Sequence, residues 1–215
     1  MSITAVLFDF GNVLSLQQDG RRIDEMARMA GMERETLLRQ YRARRADYDR
    51  GDLDAAAYWG LVLNSSESDD PVPVEEGLLR SLIDADIRAW TRMRAPMVAW
   101  ARALHDGGFK TCILSNMPYD HGEYILREMS DLMSSFDAFA FSYRLRVSKP
   151  EAAIYTAALS MLDGIPPEAA LFIDDVAENA DGASAVGLKS IVFSGIDELV
   201  AELRNYPELP LPTKG

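Results

Sequence analysis

The chain has 215 residues, 48% of them hydrophobic and 26% charged, with a formal net charge of −12. That suffices for one large α/β domain or a domain carrying an inserted module, and so acidic a chain argues against nonspecific binding to nucleic acid or to an anionic membrane. The lone Cys112, inside an apolar run, excludes an internal disulfide framework and reads as a buried reduced thiol, while no apolar segment nears the ~20 residues of a membrane span.

The first element is a strand over 3–8, a β-branched and aromatic run that ends on Asp9 and a Gly11-Asn12 turn. Met1 leads straight into it, which leaves no room for a signal peptide and makes a cytoplasmic protein the expectation. Helical periodicity then dominates, with helices at 20–31, 33–48, 53–63 and 75–92. They are separated by Gly31-Met32, Gly51-Asp52 and the polar loop from Asn64 to Pro73. From residue 94 the texture changes. Pro96 opens a helix that runs to 105–108. A strand at 109–114, a helix at 119–133 and a strand at 138–142 follow, then a helix at 151–163 and a strand at 170–173. The chain ends in a helix at 177–186, a strand at 189–193, a helix at 196–204 and a proline-bearing tail. Strands alternating with helices at this spacing predict an α/β fold, a Rossmann-like parallel sheet with helices on both faces. The helical stretch is too long for a crossover, so 16–92 reads as an inserted helical cap on a core made of 1–15 and 93–215.

Ligands of such sheets gather at the carboxyl ends of the strands. Here those ends carry Asp9, Ser115 with Asn116, Ser142, and Asp174 with Asp175, while Lys149 opens the helix after the Ser142 strand. Lysines are scarce, four in all (Lys110, Lys149, Lys189 and Lys214), so one placed here is informative. Any of these polar residues taken alone is an ordinary helix cap. Together they form a constellation, because an ionised Asp at a strand mouth costs several kcal/mol unless something pairs with it. Oxygen-only donors suit Mg²⁺, and His105 and His121 match no zinc spacing, which leaves them as surface or core histidines. With a metal held by Asp9 and Asp175, an anionic substrate can bridge the metal, Lys149 and the Ser115 hydroxyl, and Asp9 can attack as a carboxylate nucleophile.

Four segments in this order resemble the motifs of the haloacid dehalogenase superfamily of aspartate-nucleophile hydrolases. They are Phe8 to Val13, Leu114 to Asn116, Lys149-Pro150, and Asp174-Asp175 followed by Asn179 and Gly182-Ala183. The insert between the first two resembles the helical cap of the family's C1 class. Within it, Tyr48 to Trp59 resembles a turn of small bacterial sugar-phosphate phosphatases of the glucose-1-phosphate phosphatase type. The resemblance implies a Mg²⁺-dependent phosphatase that hydrolyses a small phosphorylated metabolite, such as a sugar phosphate, through an aspartyl-phosphate. It implies Asp9 as nucleophile and metal ligand, the Gly11 carbonyl, Asp174 and Asp175 as further metal ligands, and Ser115 and the Asn116 amide as holders of the phosphoryl group. Lys149 offsets charge on nucleophile and phosphate, and Asn179 orients Lys149 or the first turn of its own helix.

Two departures stand out. Many members carry an Asp two residues after the nucleophile as general acid and base, where this chain has Gly11. A leaving-group-sensitive enzyme is therefore expected unless Asp19 or a cap residue supplies the proton. The bulky run Arg144 to Arg146 also stands where many relatives have a glycine before the lysine. The alternatives are a 2-haloacid dehalogenase-type hydrolase, which fits poorly with paired aspartates in the fourth motif, and a non-catalytic phosphate-binding protein. In the cap, the arginines between Arg39 and Arg45 read mostly as a solvated face, with Arg42 or Arg45 the candidate to reach substrate. Trp59, Leu61 and Leu63 fit either a cap core or an interface, which leaves monomer and homodimer open.

Overall fold

The computed structural model describes residues 2–64 and 70–213, so part of the polar loop expected before Pro73, residues 65–69, lies outside the described residues. The strands are β1 (Ala5–Phe8), β2 (Lys110–Ser115), β3 (Ala138–Phe141), β4 (Ala170–Asp174) and β5 (Lys189–Val192). They form one parallel sheet in the order β3-β2-β1-β4-β5. Between β1 and β2 lie α1 (Gly20–Ala30), α2 (Arg34–Ala43), α3 (Arg45–Arg50), α4 (Ala55–Leu63), α5 (Glu76–Trp90) and α6 (Ala95–Asp106). Later come α7 (Tyr119–Glu128), α8 (Ser130–Met133), α9 (Ser142–Leu145), α10 (Ala152–Met161), α11 (Ala177–Ala185) and α12 (Ile196–Leu203).

Successive side chains of a strand point to opposite faces. Val6, Phe8, Ile113 and Ile173 accordingly enter one apolar layer with residues of α6, α7, α8 and α12. Ala5, Leu7, Cys112, Leu114 and Phe172 enter the other, with residues of α10 and α11. Both faces being covered, the strands read as continuous apolar runs rather than alternating ones. Cys112 is free and buried, and burial pushes its thiol up to about 12, which keeps it protonated and unreactive. Among the described residues no helix is long and apolar enough to cross a membrane.

Helices α1 to α5 enclose a separate apolar cluster built on Leu37, Tyr41, Tyr48, Tyr58, Trp59 and Leu82, in which Tyr48 stacks on Tyr58 at 4.2 Å. Trp59 is wholly buried within it. The chain enters and leaves this block side by side, through an antiparallel bridge between Ser15 and Met93 flanked by bonds from Leu16 N–H to the Arg92 carbonyl and from Arg94 N–H to the Leu14 carbonyl.

Two helices expected as single pieces are broken. The one at 33–48 ends α2 at Arg44, whose φ and ψ of −119° and 11° are not helical, and restarts as α3. Tyr41 and Tyr48, one on each side of the break, both reach the apolar cluster, as residues seven apart would also do on a continuous helix. The helix at 119–133 breaks at Met129, and α8 turns Leu132 and Met133 onto the sheet layer.

Candidate active site

Asp9 follows β1 in extended conformation, with its N–H bonded to the Ile173 carbonyl of β4 at 2.9 Å. That bond carries the sheet register one residue past the strand and fixes where the carboxylate emerges. One of its oxygens, Oδ1, accepts the Ser115 hydroxyl at 2.7 Å and sits 2.8 Å from Lys149 Nζ. The same ammonium lies 2.5 Å from Asp174 Oδ2. All four residues are buried. Burial, opposed by Lys149 and reinforced by the Asp174 charge, pushes Asp9 up to about 6. Burial also works against the Lys149 charge, but Asp9 and Asp174 outweigh it and hold the ammonium above its ordinary value.

Supporting bonds lock this group. The Asn116 side chain and the Lys149 backbone bind each other reciprocally, Nδ2 donating to the Lys149 carbonyl at 3.0 Å and Oδ1 accepting the Lys149 N–H at 2.9 Å. The side-chain amide of Asn116 is therefore committed to holding Lys149. Asn179 differs from both roles expected for it. Its Nδ2 donates to the two Asp174 oxygens at 3.0 and 3.1 Å, and Val176 N–H adds a bond to Oδ1 at 2.8 Å. A carboxylate offers about four lone-pair sites, so Asp174 is nearly saturated before any ion arrives.

Asp175 is different. It is half-buried, and its Oδ2 accepts Asn12 Nδ2 at 2.8 Å. Asn12 can reach because the Phe10–Leu14 segment kinks at its centre, where Gly11 is extended (ψ 136°) and Asn12 takes a left-handed conformation, φ 57°. Arg94 pins that turn from beneath, donating to the Asn12 carbonyl at 2.9 Å and the Val13 carbonyl at 3.2 Å while lying over the Phe193 ring. At Gly11 a Cβ would stand 3.5 Å from the Trp90 ring, so the indole covers the place where a side chain at this position would begin.

Asp9, Gly11, Asn12, Ser115, Asn116, Lys149, Asp175 and Asn179 line a cavity of about 290 Å³ to which the helical block and α7 also contribute. Of the two arginines singled out, Arg42 is exposed, whereas Arg45 lines the cavity. Arg45 Nε binds Asp49 Oδ1 at 2.7 Å, and its NH1 contacts Asp86 Oδ2 at 3.0 Å and the Tyr41 hydroxyl. Asp86 is buried and also accepts the Tyr41 hydroxyl at 2.6 Å. His121 is buried on the cavity wall with Nε2 3.5 Å from Asp86, and burial holds it down to about 4, hence neutral. His105 is half-buried near Asp137, away from the cavity. Sequence reasoning did not find Asp49, Trp90 and His121, which line the cavity, nor Asp86 and Arg94, which hold Arg45 and the Asn12 turn behind it, because no local pattern encodes the packing that brings these elements together. Asp19, the sequence candidate for a proton donor, caps α1 and pairs with Arg21 at 2.8 Å, outside the cavity lining.

Asp9, Asp174 and Asp175 each bring a carboxylate oxygen within 4.8 Å of the others. Against one ammonium they leave an excess of two negative charges, and the donors are all oxygen. The residues fit a hard divalent cation such as Mg²⁺.

A family model for haloacid dehalogenase-like hydrolases matches residues 3–187, and the chain belongs to that family. Among curated relatives, bifunctional epoxide hydrolase 2 of Mus musculus is 25% identical over 231 residues, covering 99% of this chain and 41% of the mouse protein. Phosphatase MT3486 of Mycobacterium tuberculosis is 24% identical over 207 residues, covering 88% of this chain and 87% of that protein. The chain thus spans under half the length of the epoxide hydrolases it matches. Among solved structures, a hydrolase of this family from Porphyromonas gingivalis superposes with a TM-score of 0.71 at 17% identity, covering 95% of this chain and 99% of that one. A family enzyme from Bacteroides thetaiotaomicron, in a magnesium complex, gives 0.70 at 20% identity, with 90% and 94% covered. These structural likenesses establish the fold.

Proposed function

We propose that the chain is a Mg²⁺-dependent phosphomonoesterase, with residues 16–92 as its cap, that acts on a small phosphorylated metabolite through an aspartyl-phosphate. The observation that carries this reading is the meeting of Ser115 and Lys149 on one oxygen of Asp9, with two further carboxylates alongside. Asp9 is the nucleophile. Lys149 neutralises part of the charge that builds as one anion approaches another, and the Ser115 hydroxyl turns from Asp9 to a phosphoryl oxygen when substrate enters. Because the Asn116 side chain is committed to Lys149, its contact with the phosphoryl group falls to its backbone N–H. Asp9, Asp175 and the Gly11 carbonyl hold the metal, and Asp174, with most of its lone pairs occupied, serves the site chiefly by fixing Lys149. The ion, when bound, offsets the repulsion between carboxylate and phosphate. A cavity of about 290 Å³ lined in part by Ile87, Trp90 and Ile125 suits a compact substrate, a sugar phosphate among the candidates. The name of the mycobacterial relative and a Bacteroides thetaiotaomicron neighbour solved with magnesium and inorganic phosphate support the same class.

The test is release of phosphate from a panel of esters. Wild type should turn over with Mg²⁺ and stop in excess EDTA, and Asp9→Asn should be inactive with an unchanged melting profile. Undiminished hydrolysis by Asp9→Asn, or in EDTA, would sink the mechanism.

A further inference from the structure

We propose that Asp49 is the general acid and base of the reaction, filling the role for which Gly11 has no side chain. This rests on the phosphatase reading above. Leaving groups without an acidic conjugate need a proton as their bond to phosphorus breaks, and a positioned donor contributes about 10²–10⁴-fold. Position 11 cannot supply it, and Asp19 is tied to Arg21 away from the cavity.

Asp49 lines the same cavity as Asp9, Ser115 and Lys149. It is anchored from both ends. Its main-chain carbonyl accepts the Ser142 hydroxyl, and that same hydroxyl oxygen accepts the Met117 N–H at 3.0 Å, two residues beyond Ser115. One side chain therefore fixes the α3 backbone to the segment that follows Ser115 at the end of β2. Its Oδ1 is held by Arg45, while Oδ2 accepts no hydrogen bond among the described residues. The charged groups around it act in opposite directions. Burial pushes Asp49 up, Arg45 pulls it down, and the charges of Asp86 on α5 and Asp9 after β1 push it up again, to about 6. A carboxyl poised there is well matched to giving and taking protons near neutrality. The other ionisable groups of this wall suit the task less. His121 is held neutral against Asp86, and burial raises the Tyr41 phenol well above its ordinary value.

In the first half, an Asp9 oxygen bonds to phosphorus as the bond to the leaving oxygen breaks, and the protonated Asp49 gives that oxygen its proton, releasing an alcohol. In the second half, water attacks the phosphorus and loses a proton to the Asp49 carboxylate. The bond between phosphorus and Asp9 breaks, inorganic phosphate leaves, and both residues return to their starting states.

The experiment is rapid-quench measurement of phosphoryl transfer under single turnover, with primary alkyl phosphates and p-nitrophenyl phosphate, on wild type and Asp49→Asn. Wild type should show a shallow dependence on leaving-group pKa. The variant should lose about 10²–10⁴-fold with alkyl esters and less than about threefold with p-nitrophenyl phosphate, whose leaving group needs no proton. Retained aryl transfer also certifies that the variant is folded. Equal losses on both esters, no loss on either, or a steep dependence already present in wild type would overturn the assignment. A wild type that transfers from neither ester overturns the phosphatase reading itself.

Discussion

Replacing Ser142 with alanine removes one oxygen that serves two loops at once. Ser142 is fully buried, receives the Met117 N–H at 3.0 Å and donates to the Asp49 carbonyl. Alanine fits the space but leaves both backbone groups without that partner. A buried polar group stripped of its hydrogen bond costs about 1–3 kcal/mol. The Met117 N–H bond is wholly buried and bears the full penalty, whereas the Asp49 carbonyl is part-buried and can recruit water. Ser142→Ala should therefore lose about 2–3 kcal/mol of stability. For a chain of this size each kcal/mol moves Tm by about 2–4 °C, so Tm should fall by roughly 4–12 °C. Urea titration should show a lower midpoint at an unchanged m-value, the mark of a stability change without loss of compactness. Turnover should fall as well, since α3 and the segment after Ser115 lose their shared tether. A loss below about 0.5 kcal/mol, the range of an ordinary surface change, would refute the reasoning.

Two further outcomes are expected. In Gly182→Ala the new Cβ would stand 2.8 Å from both Cβ and the carbonyl of Pro150. Overpacking of about 1–3 kcal/mol then competes with a helix-propensity gain of about 1 kcal/mol; because Pro150 follows Lys149, kcat should drop further than stability does, and equal kcat in the two proteins would contradict this. His121, held down to about 4 from an ordinary 6.5, binds fewer protons folded than unfolded between those values. Its contribution of roughly 3 kcal/mol is present above pH 6.5 and is lost as pH falls through 4, so His121→Gln should flatten that stretch of the stability–pH curve. Superimposable slopes for the two proteins would rule it out.

The parallel sheet was legible because each strand is a short apolar run that ends on a polar residue, and chain order fixes little else about such a fold. The gathering of Asp9, Ser115 and Asp174 followed from the same rule, since all lie at carboxyl ends of strands, and Lys149 was drawn in as the lysine after the β3 strand and α9. What stayed hidden lies where contacts cross elements. Nothing near Arg44 signals a break, since Tyr41 and Tyr48, seven residues apart, would share one face of a continuous helix just as they share the apolar cluster. Asn179 was expected to steer Lys149 or its own helix turn, and it holds Asp174 instead, at a distance of five residues that either choice would satisfy. Trp90 fell inside the helix expected at 75–92 with nothing to mark it, yet its ring covers Gly11 because two distant segments run side by side at Ser15 and Met93.

The strand order has a consequence for how such a chain is made. β1 lies in the middle of the sheet, so the first strand to leave a ribosome has both of its neighbours far downstream, residues 110–113 on one side and 170–173 on the other. At about 5–20 residues per second, its second partner is roughly ten to thirty seconds away. The helical block, whose apolar cluster lies within residues 23–85, is complete much earlier. Until β4 arrives, Ala5 to Phe8 expose an open strand edge and an apolar face to other chains. Slowing synthesis between residues 115 and 174 should therefore increase aggregation, while the same delay after residue 192 should not.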